Sequence, residues 1–148
     1  MRVLGIKCRK DGFDWVLVQG NSRSTSAVIE HGSPSAPAGE RPLQLVWVRR
    51  EILELLERNR PEVVAVRAGE PGVQGISQNR AEVEGVVQEA VGSVDVPVRR
   101  IVAATLRGAF GVKNGGELKQ MTGNIPIVAS TAKVRHDQLL AALTQLAK

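Results

Sequence analysis

The chain has one cysteine, no tyrosine and four other aromatic residues among its 148 positions. A single thiol, Cys8, cannot close an intrachain disulfide, and its place in an apolar strand pattern fits a buried thiol in a reducing cytoplasm. Phe13, Trp15, Trp47 and Phe110 give little material for a base-stacking platform, which disfavours a reader of single-stranded nucleic acid. No apolar run approaches the roughly 20 residues of a membrane span, so no bilayer crossing is expected. Arg2 is followed by neither an apolar h-region nor a small-residue cleavage site, so no signal peptide is read. There is also no block of five or six cations.

What remains is the composition of an ordinary folded domain. Hydrophobic residues make up 43% and charged residues 24%, and residues 1–148 are expected to form one domain with a core that needs no metal or disulfide. The formal net charge of +5 and the pI near 10.0 favour an acidic partner, with a DNA or RNA backbone the usual candidate. The basic residues come in pairs, Arg9-Lys10, Arg49-Arg50 and Arg99-Arg100, rather than in a stripe.

Residues 2–8 and 14–19 read as strands joined through a turn, and Gly20-Asn21 leads by a hairpin into a third strand at 24–29. Residues 31–42, rich in Ser, Pro, Ala and Gly, read as a surface loop. Leu45, Val48, Ile52, Leu55 and Leu56 recur at helical spacing within 43–59, and Pro61 ends that helix. The apolar run 62–67 has the character of a buried parallel strand. A glycine-rich loop then leads to a helix capped by Ser77, with Val83, Val86, Val87, Ala90 and Val91 inward. A fifth strand is expected at 96–102 and a short helix at 105–110. Gly115-Gly116 reads as loop, followed by a short helix to Met121. Residues 125–129 read as irregular or extended, and 133 onward as a terminal helix packed through Leu139, Leu140, Leu143 and Leu146. The fold class is therefore α/β: a mixed five-stranded sheet, a three-strand meander plus two crossover strands, with helices on both faces.

Several small constellations carry little chemistry. Gly69, Gly72 and Gly75 space like a phosphate loop but lack the Gly-Lys-Ser/Thr that a Walker site requires. His31, His136 and Cys8 do not make a zinc site. His136 beside Asp137 has the form of a base and its orienter, with no nucleophile in view. Trp47 on the first helix reads as core or as a dimer contact.

Four segments together carry a resemblance. Val3-Leu4-Gly5-Ile6-Lys7, the run from Arg60 to Arg67, the glycine- and lysine-bearing stretch from Ala104 to Met121, and His136 to Leu143 follow the order of the RuvC-like branch of the RNase H-like superfamily. In length and layout the chain is also similar to a small bacterial RuvC-like group known as a domain of unknown function. The resemblance implies phosphodiester hydrolysis by two divalent ions held between carboxylates. At the positions where it implies carboxylates, this chain reads Lys7, Arg67 and Asp137. Unit charges about 4 Å apart interact by about 4 kcal/mol at an effective dielectric near 20, so a divalent ion beside either cation meets roughly twice that repulsion.

The expectation is thus a degenerate nuclease site, with no catalytic residue, no metal and no cofactor. Lys7, Arg67 and Asp137 form either a structural salt bridge or a grip on a phosphate, extended along a backbone by Arg107, Lys113 and Lys119. The function expected is non-catalytic nucleic-acid binding or assembly, as a homodimer by the same resemblance. Two alternatives stay open: an active metal-dependent nuclease with carboxylates relocated to Asp11, Asp14 and Glu70, and a protein-interaction scaffold with no nucleic-acid role.

Overall fold

Alternation along the first strand sorts its side chains into two cores. In the computed structural model, which describes residues 1–69 and 77–148, strand β1 (Arg2–Cys8) is the centre of a five-stranded sheet. Strands β2 (Phe13–Gln19) and β3 (Ala27–Gly32) complete an antiparallel meander on one side. Strands β4 (Val63–Arg67) and β5 (Val98–Ile101) run parallel to β1 on the other, in the order β3-β2-β1-β4-β5. The crossovers are helices α1 (Arg41–Asn59) and α2 (Gln78–Ser93).

Leu4, Ile6 and Cys8 of β1 join Phe13, Trp15, Leu17, Val64 and Val66 under α1 and α2. These helices contribute Val48, Ile52, Leu55 and Leu56, and Val83, Val87, Ala90 and Val91, which are the stripes that helical spacing predicts, with Leu45 and Val86 half-buried at their margins. Val3, Val16, Val18, Val63 and Ala65 face the opposite way. They pack against α3 (Ala103–Ala109), α5 (Pro126–Ala129) and α6 (His136–Leu143), with α4 (Gly115–Thr122) at the margin through Leu118. Each fully buried aliphatic side chain is worth about 1.5–3 kcal/mol of transfer free energy, so both faces hold the sheet.

Local departures from the predicted elements have physical causes. The third strand lies at 27–32 rather than 24–29, because Ser22, Ser24 and Thr25 bond one another through their hydroxyls and a register shift falls between Leu17 and Val18. Gly115 and Gly116 begin a helix instead of a loop. Asn114 Oδ1 accepts from Glu117 N at 2.8 Å and Glu117 Oε2 accepts from Lys113 N at 2.9 Å, so reciprocal capping offsets the glycines. Residues 126–129 form a helical turn with Pro126 at its start, where a missing N–H costs nothing. The terminal segment breaks into a 3-10 turn (Lys133–Arg135) and then α6, and Ala147 bridges back to Ser22.

Candidate functional site at the strand ends

Lys7 lies in register with Asp14 on β2 and with Arg67 on β4, and Arg67 in turn with Ile101 on β5. One row across the sheet, on the face covered by α6, thus carries carboxylate, ammonium and guanidinium side by side. Gly5, one alternation earlier on the same face, lets α6 come this close. A Cβ built there would lie 2.0 Å from the Gln138 carbonyl oxygen. Backbone therefore packs on backbone, and Asp137, the preceding residue, reaches the strand end. Lys7 Nζ donates to Asp137 Oδ2 at 2.5 Å, with the side chains 34% and 51% exposed. Asp137 also occupies the first turn of α6, where the helix dipole favours a negative charge.

The salt bridge expected among Lys7, Arg67 and Asp137 joins two of the three. Arg67 Nη1 donates to the carbonyls of Ala68 at 2.8 Å and Ile101 at 3.3 Å, and so ties the ends of β4 and β5. Its own carbonyl accepts from Arg80 Nη2 at 3.3 Å. Behind the sheet, Glu84 is buried and takes the Gly69 N–H on Oε1 at 2.8 Å. Burial first, and the Glu84 carboxylate second, push the Cys8 thiol far above its ordinary range. Arg80 and Glu84 escaped the sequence reading because nothing in a helical pattern marks which charged residue is turned inward.

Two of the three relocated carboxylates are held by one cation. Arg9 Nε donates to Asp14 Oδ1 at 3.0 Å and Nη1 to Asp11 Oδ1 at 3.4 Å. The same guanidinium bonds Ser35 Oγ and the carbonyls of Ser33 and Pro34, closing the first turn onto the following loop. Glu70, Gly72 and Gly75 lie outside the described residues. A pair of divalent ions needs several hard carboxylate oxygens facing one space. Here an ammonium is bonded to Asp137 and a guanidinium to Asp14, and among the described residues no three His, Cys, Asp or Glu side chains gather to hold a metal. Among the described residues, these side chains do not fit a two-metal centre.

Beyond the Lys7–Asp137 pair a groove of about 510 Å³ opens between α4, the 3-10 turn and α6. Lys119, Lys133, His136 and Asp137 line it, together with Gly115 and Thr122. Lys119 is thus brought to the site. Lys113 is exposed at the start of α4, and Arg107 is half-buried in the last turn of α3; neither lines the groove. Lys133 was missed, since a lone lysine at a helix start carries no signal. His136 Nε2 lies 3.0 Å from the Thr131 carbonyl, so this nitrogen is spent on the backbone rather than set up as a base oriented by Asp137.

No family model matches the sequence, and no curated protein sequence matches it. Solved structures do match. The chain is similar to Thermus thermophilus RuvC at a TM-score of 0.76 and 21% identity, covering 97% of this chain and 92% of that one. It is similar to T. thermophilus RuvC in complex with Holliday junction substrate at 0.74 and 21%, covering 97% and 91%. The yeast mitochondrial Holliday junction resolvase Ydc2 follows at 0.61 and 11%, covering 97% and 76%. The chain has the RuvC-like, RNase H-like fold.

Proposed function

We propose that this protein is a catalytically degenerate RuvC-like protein that binds nucleic acid through its phosphate backbone without cutting it. The observation that carries this reading is the Lys7–Asp137 ion pair, which puts an ammonium on the carboxylate of α6 at the strand ends. Lys119 and Lys133 in the adjoining groove support it, because ammonium groups are good point-charge partners for phosphate oxygens. Arg67, Arg107 and Lys113 lie outside that groove and belong to this reading as further backbone contacts. The T. thermophilus RuvC complex contains a Holliday junction, and branched DNA is the first partner to test. A homodimer belongs to this reading, supported by the exposed Leu43 and Val46 on α1, and sedimentation velocity measures it directly. The buried thiol of Cys8 supports a cytoplasmic location.

Fluorescence anisotropy with duplex, branched DNA and RNA–DNA hybrid, titrated with salt, tests the proposal. Log affinity is expected to fall linearly with log salt, and the Lys7→Glu, Arg67→Glu double variant to flatten that slope by about one per lost contact. Unchanged affinity in the double variant would remove the phosphate grip. No binding to any probe at low salt leaves the scaffold reading. Mg²⁺- or Mn²⁺-dependent cleavage abolished by Asp137→Asn would show an enzyme.

A further inference from the structure

At the far end of the sheet from Lys7 lies a cation of a different kind. Arg23 follows β2, beyond the Arg2–Gln19 pairing, and is only 9% exposed. Its Nε donates to the Leu143 carbonyl at 3.0 Å and its Nη1 to the Ala109 carbonyl at 3.0 Å, which are the C-terminal ends of α6 and α3. The guanidinium lies 4.3 Å from the centre of the Phe110 ring. Helix ends and an aromatic face supply partial negative charge, but no carboxylate of the described residues pairs with Arg23, and burial lowers its pKa from the ordinary arginine value. Nη2 has no protein acceptor among the described residues and is not among the buried unpaired atoms, so it is open to solvent.

Next to this group is a pocket of about 290 Å³. Phe110, Met121, Ile125 and Pro126 give it apolar walls, and Arg23 and Lys148 are its charged residues. No acidic side chain lines it, in a chain with 15 of them. A largely buried guanidinium with one nitrogen free of protein acceptors, beside an apolar cavity of this size, suits a carboxylate with a short apolar body. We propose that this pocket binds a small organic acid, its carboxylate on Arg23 Nη2 and its short apolar body against Phe110, Met121 and Ile125. The site is separate from the Lys7–Asp137 groove and does not depend on nucleic-acid binding.

Ligand-detected NMR and calorimetric titration of the whole chain with hexanoate, hexanol and hexylamine test it, since the three share a body and differ in the head group. Hexanoate is expected to bind, with the alcohol and the amine about tenfold weaker or more. Met121→Trp, at a residue 47% exposed, fills the pocket from the solvent side. It is expected to abolish hexanoate binding while leaving the unfolding midpoint unchanged. Arg23→Lys keeps the charge but not the donor fork, and is expected to weaken hexanoate binding about tenfold. Equal binding of hexanol and hexanoate, hexanoate binding that survives Met121→Trp, or no binding of hexanoate at millimolar concentration would each overturn the proposal.

Discussion

Helix α6 is bracketed by two cations, and the two ends behave differently. At its start, Lys7 and Asp137 make a complete ion pair in contact with water. At its end, Arg23 is enclosed by backbone carbonyls and a phenyl ring, with no full countercharge among the described residues. The first end has its charges satisfied and its surface open, so it can change partners at little cost to the fold. The second has its geometry fixed by packing and by the two carbonyls it bonds. Proximity of opposite charges therefore says little about which end holds the molecule together. Burial and backbone bonding decide that.

Three substitutions sharpen or break this contrast. The largest effect is expected from Gly5→Val, which drives a side chain into the Gln138 carbonyl and lifts α6 from β1. Urea unfolding should show a loss of about 3 kcal/mol or more, with both ends of α6 disturbed together. Arg23→Met keeps much of the volume but takes the guanidinium from the Ala109 carbonyl and from the Leu143 carbonyl, which still accepts from Leu146 N, and a loss of about 1–3 kcal/mol is expected in the same measurement. Lys7→Met removes the exposed pair and should change stability by about 0.5 kcal/mol or less. If Lys7→Met cost as much as Arg23→Met, the distinction between an open end and a structural end would be lost.

The meander, the two crossovers and the inward stripes of α1 and α2 were legible from alternation and helical spacing alone. At residues 7 and 67 the sequence carries cations where the resemblance implies carboxylates, which is the basis of the proposed degenerate site. The register of β3 was not legible. Hydroxyl bonds among Ser22, Ser24 and Thr25 decide where that strand begins, and no local propensity encodes them. The capped glycines of α4 show the reverse case, in which a signature was present in Asn114 and Glu117 but outweighed in the reading by Gly115-Gly116. At the candidate site, Lys7 and Asp137 were correctly brought together, while Arg67 turned to carbonyls on β4 and β5.

The sequence by itself determined the meander, the crossovers and the two-faced sheet, since these rest on periodicity and residue type. Only the tertiary structure decided which charges meet. Residues 130 positions apart, Lys7 and Asp137, pair because Gly5 admits the α6 backbone. Arg23 is buried because two helices end beside it. Side-chain pairing at such separations depends on distances of a few tenths of an ångström between packed elements, which a linear pattern of residues does not carry.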